Sequence, residues 1–420
     1  MACPWSSSAS PCAVSRHGVR EAPVRLRSVA PGPAASPLPS KLMDPLHEQM
    51  RSWRRDFHRH PELAFEEVET SRKVAALLES FDGIEVHRGL AGTGVVGVLK
   101  SGSSDRSIAL RADMDALPIE EENEFEHRSR NPGKMHACGH DGHTAMLLGA
   151  AKHLSRNRTF DGTVYFFFQP AEEKDGGARV MIEEGLFEQF PAEEVYGVHN
   201  YPGMEVGNFG LCAGPLMAAI DVFEFAVTSA GGHAAFPHGT VDPIPIGAEI
   251  VLALQTIVAR NVDPLHSAVI TVARVHGGHA DNVIPSRVVH GGCVRAFLPE
   301  VQKLVERRMR QIGRGICTAH GAGFEFQYRH YYPATVNHAE QTEKAANAAR
   351  EVGRDVTTSL APVMGSEDFA YMLQERPGAF MFLGNGESAG LHTPRYDFND
   401  DVLPIGMRYW TTLVETQLSA

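Results

Sequence analysis

Three short, mainly apolar runs that end in ionisable residues constrain the fold of this chain most. Residues 108–113, 163–168 and 195–198 have the length and the β-branched or aromatic content of buried strands. The ionisable residues at or just beyond their ends are Asp113 and Asp115, Glu172 and Glu173, and His199. In open α/β sheets, functional sites gather beyond the carboxyl ends of the strands. The pattern therefore predicts an α/β fold with a site at one edge of its sheet.

A different pattern of apolar residues begins near residue 218. It predicts strands at 221–228, 267–275, 287–297 and 324–329, with helices at 243–260 and 300–319. The resulting β-α-β-β-α-β order is that of a ferredoxin-like α+β unit. We therefore predict an inserted domain at 218–331, between two parts of a catalytic domain at 43–217 and 332–420.

Residues 1–42 differ in composition from the rest of the chain. They contain seven prolines, eight serines and five arginines or lysines, with Glu21 as their single acid. We expect such a stretch to be disordered. It is either an organelle transit peptide or the result of a start assigned too early, with Met43 as the true start. The second interpretation is favoured slightly, because the folded pattern begins right after Met43.

Composition argues against several classes of protein. A formal net charge of −12 argues against nucleic acid as the main partner. No uninterrupted apolar run approaches the ~18 residues of a membrane span. The six cysteines, spread over 420 residues, do not form a disulfide framework. They suit a reducing compartment.

The stretch HACGHDGH at residues 136–143 holds three histidines, one cysteine and one aspartate. A helical pattern follows it, with apolar residues from Met146 to Leu154 on one side. These side chains can bind divalent transition metals, although an isolated Cys-x-His is more often a turn without metal. The adjacent acids Glu172 and Glu173 favour the metal, because burying unpaired carboxylates costs several kcal/mol unless a cation compensates. Such a pair also suits hydrolysis, with one carboxylate on the metal and its neighbour acting as a general base.

Eight motifs in order resemble a known family. They are RRDFHRHPEL (54–63), RADMDALPI (111–119), HACGHDGHTA (136–145), QPAEE (169–173), GGHAAFPH (231–238), NVIP (282–285), MGSEDF (364–369) and LHTP (391–394). With them the chain resembles the co-catalytic metallopeptidase and amidohydrolase family of aminoacylases and carboxypeptidase G. Within that family it is most similar to the branch of hippurate hydrolases, N-acyl-amino-acid amidohydrolases and indole-acetyl-amino-acid hydrolases. The resemblance covers about residues 43–418.

The resemblance implies a dinuclear metal centre on a mixed-sheet, zinc-peptidase-like catalytic domain. Its ligands would be Cys138, His140, Glu173, His199 and His392. Cys138 would bridge two divalent ions, Glu172 would be the general base for a metal-activated water, and Asp113 would orient a ligand. Arg111 stands where other relatives carry a ligand histidine and is not counted as a ligand. The mixed sulfur, nitrogen and oxygen donors suit manganese or zinc, with cobalt and nickel as alternatives.

The resemblance also implies that residues 218–331 form a lid and dimerisation domain. His233 would reach the site of a neighbouring subunit and stabilise the oxyanion. Asn282 and Arg295 would lie near the free carboxylate of the substrate, for which arginine is a natural bidentate partner. The expected partners are therefore a small N-acyl amino acid and further copies of the chain, in a homodimer or homotetramer. Neither a nucleic acid nor a membrane is expected as a partner.

The implied reaction is hydrolysis of an N-acyl amino acid, hippurate-like or indole-acetyl-amino-acid-like, to a carboxylic acid and a free amino acid. Two alternatives use the same site, namely a dipeptidase and an N-carbamoyl-amino-acid hydrolase. A non-catalytic binding protein on this fold would need a broken ligand set. The lack of a secretory signal and of a C-terminal retention signal favours a cytoplasmic enzyme. Import into an organelle would apply if residues 1–42 are a transit peptide.

Overall fold

The computed structural model describes residues 45–419, so the prediction of disorder at 1–42 lies outside the described residues. Ten α-helices lie in this part of the chain. They are α1 (Pro45–Arg59), α2 (Val68–Glu79), α3 (His140–Arg156), α4 (Gly177–Glu183), α5 (Leu186–Gln189), α6 (Pro243–Arg260), α7 (Pro299–His320), α8 (Ala339–Val352), α9 (Ala370–Glu375) and α10 (Leu403–Gln417).

Sixteen strands are found among the same residues. They are β1 (Ile84–Arg88), β2 (Val95–Ser101), β3 (Ser107–Asp113), β4 (Gly162–Gln169), β5 (Glu194–Pro202), β6 (Asn208–Gly210), β7 (Gly214–Met217), β8 (Ala219–Thr228), β9 (Gly232–His233), β10 (Ala268–Gly277), β11 (Val283–Ile284), β12 (Arg287–Ala296), β13 (Gly323–Tyr332), β14 (Thr335–Asn337), β15 (Asp355–Thr357) and β16 (Gly378–Gly386).

Eight strands form one large mixed sheet in the order β1-β2-β4-β3-β5-β16-β6-β15. The four central strands β4, β3, β5 and β16 are parallel to one another, so their carboxyl ends meet at one edge. Helices cover both faces. In β4, Val164, Phe166 and Phe168 belong to the core under α1, α3, α8 and α10. Tyr165 and Phe167 belong to the core under α4, α5 and α9. Burial on both faces explains the continuous apolar run that predicted this strand.

The apolar side predicted for helix α3 is buried, and over its first twelve residues the other sides are buried as well. Every residue from His140 to Ala151 is buried. The helix lies against α1, α10 and β3. Small residues make this packing feasible. A Cβ on Gly149 would lie 2.1 Å from Met50 Sδ, and one on Gly142 would lie 2.2 Å from Phe398 Cε2. The helix therefore holds the residues at its start rigidly at the centre of the molecule.

Strands β8, β10, β12 and β13 form a separate antiparallel sheet in the order β10-β12-β8-β13. With α6 and α7 between the strands along the chain, this is the order of a ferredoxin-like unit, as the sequence pattern predicts. The two helices share one core with the sheet, which includes Phe223, Phe225, Ile250 and Val305. The described residues belong to one compact unit, so the domain boundaries at 218 and 332 stay predictions.

Helix α6 is long and apolar enough, by length and composition, to cross a membrane. Its residues Ile246, Ile250, Leu254 and Ile257 are buried against the four-stranded sheet. A helix that packs one face on the core of a globular protein can meet the same criterion.

Candidate metal centre and active site

The predicted site residues converge at the carboxyl edge of the large sheet. Strand β3 ends at Asp113, β4 ends three residues before Glu172, and His199 lies near the end of β5. Helix α3 begins beside them at His140. A cavity of about 550 Å³ opens at this edge, lined by Cys138, Glu172, Glu173, His199, Arg295 and His392 among others. The sheet topology thus brings together segments that are far apart in the sequence.

The turn that carries Cys138 and His140 depends on a glycine between them. Gly139 has φ +97°, and a Cβ there would lie 2.2 Å from Asn200 Nδ2 and 2.6 Å from Tyr396 Oη. Asn200 Nδ2 donates to the backbone oxygen of Cys138 at 2.6 Å, and Tyr396 Oη donates to Asn200 Oδ1 at 2.7 Å. Only glycine combines this left-handed conformation with so close an approach. The turn directs the side chains on either side of it into the site.

Two groups of three ligand atoms share the sulfur of Cys138. One group contains Cys138, His140 and His199, and the other contains Cys138, Glu173 and His392. Within each group the ligand atoms lie within 4.8 Å of one another. Cys138 Sγ lies 3.3 Å from His199 Nε2, and His392 Nε2 lies 3.2 Å from Glu173 Oε1. The backbone N–H of His392 donates to Ala137 O at 2.8 Å, which joins its loop to the cysteine turn.

Hydrogen bonds leave one nitrogen of each buried ligand histidine free. Nδ1 of His199 donates to Asn200 O at 2.7 Å, so Nε2 faces the cysteine sulfur. Nδ1 of His140 donates to the backbone oxygen of Asp115 at 2.9 Å and to its Oδ1 at 3.2 Å. His140 Nε2 is buried without a hydrogen-bond partner. Such unsatisfied atoms are costly in a protein interior, and thiolate, imidazole and carboxylate donors suit divalent cations. The residues therefore fit a pair of such ions.

His143 is excluded as a ligand by its own hydrogen bonds. The backbone N–H of Asn200 donates to His143 Nε2 at 2.9 Å, so Nδ1 carries the proton and donates to Asp113 Oδ1 at 2.7 Å. Burial lowers the pKa of His143, although Asp113 opposes that shift. The imidazole is thus neutral, with neither nitrogen free for a metal. Its role is to hold β5 and β3 together beneath the site.

The two aspartates of the RADMD motif have different partners. Asp113 binds His143 and also accepts from Arg111 Nη1 at 2.7 Å. Asp115 instead contacts Nδ1 of the ligand histidine His140. Carboxylates in this position orient ligand histidines and raise their basicity. The orienting role expected for Asp113 stays a prediction: Asp113 Oδ2 lies 3.7 Å from His140 Nε2, while Asp115 Oδ1 accepts from Nδ1 of the same histidine.

Arg111 is a buried cation surrounded by acceptors. Its guanidinium donates to Gln169 Oε1 at 2.7 Å, Asp113 Oδ2 at 2.7 Å, Glu367 Oε1 at 2.9 Å and Asp368 Oδ1 at 3.0 Å. Its side chain is 1% exposed. All three nitrogens of the guanidinium group donate hydrogen bonds, which agrees with leaving Arg111 out of the ligand set. Glu367 and Asp368 lie in the MGSEDF motif, so adjacent acids in that motif were the signal that could have identified these partners.

The pKa values of three groups in the site are raised by their surroundings. Burial, together with the charges of Glu367 and Glu173, raises the pKa of Glu172 well above its usual range. Burial and the charge of Glu173 raise the pKa of the Cys138 thiol. Burial opposes protonation of His140, but Asp113 and Asp115 outweigh it and raise its pKa to about 10. Nearby divalent cations would favour the thiolate and the neutral imidazole. The site is thus a concentration of negative charge suited to cations.

Glu172 and Glu173 project from a tight turn that other buried groups hold in place. Ala171 has φ +54°, a left-handed conformation that costs a non-glycine residue roughly 1–2 kcal/mol. Its N–H donates to Glu67 Oε1 at 2.9 Å. The N–H groups of Glu172 and Glu173 donate to Asp115 at 3.1 and 3.0 Å. Glu67, at the start of α2, carries no sequence signal for this contact.

The remaining predicted residues divide into two locations. Arg295 lines the cavity, where its Nη1 donates to Met364 O at 2.8 Å and to Ser366 Oγ at 2.9 Å. His233 and Asn282 are exposed, and they do not line this cavity. They lie side by side in the β9–β11 ribbon, where Ala234 N donates to Asn282 O at 3.0 Å. Within one chain, the structure does not bring these two residues to the ligand groups.

Known proteins are similar to this chain in sequence and in fold. The model of peptidase family M20/M25/M40 matches residues 109–416. A hippurate hydrolase from Campylobacter jejuni is 40% identical over 370 residues, covering 88% of this chain and 96% of that protein. An N-acyl-L-amino acid amidohydrolase from Geobacillus stearothermophilus is 44% identical over 332 residues, covering 78% and 89%. A dinuclear metal-binding peptidase of the M20 family from Bacillus subtilis superposes with a TM-score of 0.79 at 35% identity, covering 89% of this chain and 98% of that one.

These matches confirm the resemblance that the eight motifs indicate, and they agree with the mixed α/β fold and with the two ligand groups that share Cys138. The family model covers most of the chain, and the relatives are matched over most of their length. The chain therefore belongs to peptidase family M20/M25/M40.

Proposed function

We propose that this protein is a metal-dependent amidohydrolase that cleaves N-acyl amino acids to a carboxylic acid and a free amino acid. The observation that carries the proposal is the position of Glu172, a buried carboxylate with a raised pKa, beside two ligand groups that share Cys138. The relatives named above act as hippurate hydrolase and N-acyl-amino-acid amidohydrolase. Their similarity supports this reaction over a dipeptidase or an N-carbamoyl hydrolase.

The ligand residues and Glu172 have separate roles in the proposed hydrolysis. Cys138, His140, Glu173, His199 and His392 would hold two divalent ions. When bound, such ions lower the pKa of a water molecule and polarise a carbonyl group. Glu172 accepts a proton from the attacking water on a carboxylate oxygen and later delivers it to the leaving amine nitrogen. Glu172 lines the cavity, so its carboxylate lies where the substrate and the attacking water would enter. For the ions themselves we propose zinc or manganese, on the grounds of the mixed donor set.

The cavity suits an acyl group at one part and a carboxylate at another. Its walls include the apolar side chains of Met217, Ile220, Phe382 and Leu391. Arg295 supplies a positive charge, and its bonds to Met364 and Ser366 fix the direction of the guanidinium. A fixed guanidinium binds a carboxylate in a defined orientation. We propose that it receives the free carboxylate of the amino-acid part.

We also propose that residues 218–331 act as a lid and dimerisation domain. His233 and Asn282 are exposed in this segment, away from the cavity of their own chain. A neighbouring subunit in a homodimer or homotetramer would bring them to that chain's cavity. A mixing experiment tests this arrangement. Glu172→Gln and His233→Ala chains, each inactive alone, should recover activity when reassembled together, because a mixed pair holds one complete site. No recovery in confirmed mixed dimers would refute it.

The central experiment for the proposed function is Glu172→Gln. We expect the variant to retain its metal content and to lose about 10²–10⁴-fold in kcat on hippurate and N-acetyl amino acids. Glu173→Gln is the matched control from the adjacent position, and it should lose metal as well as activity. A panel of dipeptides and N-carbamoyl amino acids separates the alternative reactions. Near wild-type turnover by Glu172→Gln would disprove its role as the general base.

A further inference from the structure

Three consecutive backbone N–H groups at the base of the active-site turn are bound by two buried carboxylates. Ala171 donates to Glu67, and both Glu172 and Glu173 donate to Asp115. Glu67 and Asp115 are 0% and 1% exposed. Neither lines the cavity, so neither can touch a substrate there. Buried carboxylates whose oxygens accept hydrogen bonds from backbone N–H groups fix the position of that backbone.

The two carboxylates act on different parts of the turn. Asp115 joins three site residues, since it also accepts from His140 Nδ1. It thereby sets the spacing between the proposed base Glu172 and one member of each ligand group, namely His140 in the first and Glu173 in the second. Glu67 touches no ligand. Its second oxygen accepts from Thr93 Oγ1 at 2.8 Å, and its first oxygen supports Ala171 in the left-handed conformation.

We propose that Asp115 and Glu67 are positioning residues that together fix the turn at 171–173, and so aim Glu172 at the site. The proposal rests on the proposed function, because it assumes that Glu172 is the base. Without the acceptor at Glu67, Ala171 is free to leave its strained conformation, which turns the adjacent side chain of Glu172 while Asp115 still holds the N–H of Glu173. Displacements of about 1 Å in such a group reduce turnover by as much as about 100-fold.

The carbonyl of Glu172 is also fixed, by a hydrogen bond from Tyr332 Oη at 2.7 Å. Residue 172 is thus held through both its N–H and its C=O. Burial and the nearby charge of Asp115 raise the pKa of Glu67 to about 7. A carboxyl group that is easily protonated can be replaced by an amide with little change in its hydrogen bonds. Replacement of Glu67 by glutamine is therefore expected to have less effect than replacement of Asp115 by asparagine.

The isosteric changes Glu67→Gln and Asp115→Asn should behave differently. In Glu67→Gln the amide oxygen still accepts from Ala171, and the Thr93 hydroxyl rotates to accept from the new NH2 group. In Asp115→Asn one oxygen becomes a donor that faces the N–H of either Glu172 or Glu173. We expect kcat near the wild-type value for the first variant and a loss of about 10- to 100-fold for the second.

Glu67→Ala separates positioning from metal binding. In enzyme loaded with cobalt, we expect a loss of about 10- to 100-fold in kcat with KM and cobalt retention unchanged, because Glu67 contacts no ligand and Asp115 still holds the N–H of Glu173. Adding Ala171→Gly should restore part of that loss, since glycine adopts φ +54° without steric cost. Asp115→Asn should release cobalt to a chelator about 10- to 100-fold more readily, because it disturbs His140 and Glu173.

Glu62→Ala is the matched control. Glu62 also accepts backbone N–H groups near the start of α2, from Glu69 at 3.2 Å and Thr70 at 2.8 Å, but it does not contact the turn. Its kcat should stay at the wild-type value. A kcat for Glu67→Ala equal to that of Glu62→Ala would overturn the proposal, as would equal losses in Glu67→Gln and Glu67→Ala. Wild-type turnover by Glu172→Gln would instead overturn the proposed function.

Discussion

Replacing Arg111 by methionine should destabilise the protein far more than loss of a surface charge. The change keeps most of the side-chain volume but leaves Asp113, Glu367 and Asp368 without their shared cation. Removing one partner from a buried ion pair costs about 3–5 kcal/mol. With about 2 cal/mol/K of unfolding entropy per residue, the roughly 375 described residues give about 0.8 kcal/mol per degree. We therefore expect Tm to fall by about 4–6 °C at neutral pH.

The pH dependence of this loss has a definite sign. Arg111 lowers the pKa values of all three carboxyl groups, so without it these values rise, and their ionisation opposes folding more strongly as pH increases. The difference in Tm between wild type and Arg111→Met should therefore be larger at pH 8 than at pH 5.5. Scanning calorimetry on chelator-treated protein measures it without a contribution from metal. Arg179→Met is the control, because it removes a solvent-exposed ion pair worth less than about 1 kcal/mol. Equal stability of the Arg111 and Arg179 variants would refute the reasoning.

Three further predictions address a buried histidine, a glycine contact and substrate binding. Burial opposes protonation of His58, but hydrogen bonds to Asp141 and Glu121 raise its pKa to about 9. Its charge should therefore add about 3 kcal/mol to the free energy of unfolding below pH 6.5. Denaturant titrations should show wild type more stable than His58→Gln by this amount at low pH, and the difference should disappear as pH rises through 9. Gly142→Ala should cost about 1–3 kcal/mol in the same titrations, because its Cβ would lie 2.2 Å from the Phe398 ring; unchanged stability would mean that the ring moves freely. Arg295→Met should raise KM about tenfold or more for an N-acyl amino acid but not for its carboxamide analogue, and equal effects on both would exclude a carboxylate contact.

Residue patterns predicted the regular elements well because these elements depend on local periodicity and run length. The helix expected at 243–260 is α6 (Pro243–Arg260), and the one expected at 300–319 is α7 (Pro299–His320). Strand β1 (Ile84–Arg88) was missed because its residues are half-buried or exposed and two of its five are charged. The apolar side expected for α3 is buried, but the burial of its other sides was not predicted, because it depends on small residues that allow close packing.

The clustering of the candidate ligand residues was predictable from eight short motifs, but the contacts that support these residues were not. The hydrogen bond between Ala171 and Glu67 joins residues 104 positions apart, and no pattern in the sequence connects them. The distinction between Asp113 and Asp115 depends on where β3 ends. Asp113 is its last residue, and Asp115 lies in the irregular backbone beyond. Such backbone geometry follows from tertiary packing, which local propensity does not encode.

The two ligand groups differ in how far apart their members lie along the chain. Cys138, His140 and His199 fall within about 60 positions, whereas Cys138 and His392 are about 250 positions apart. The second group cannot close until β16 has joined β5 and brought the following loop to the cysteine turn. During refolding we therefore expect the first cation position to form early and the second to form last. Binding of the second ion would then indicate that β16 has paired with β5 and that the His392 loop has reached the Cys138 turn.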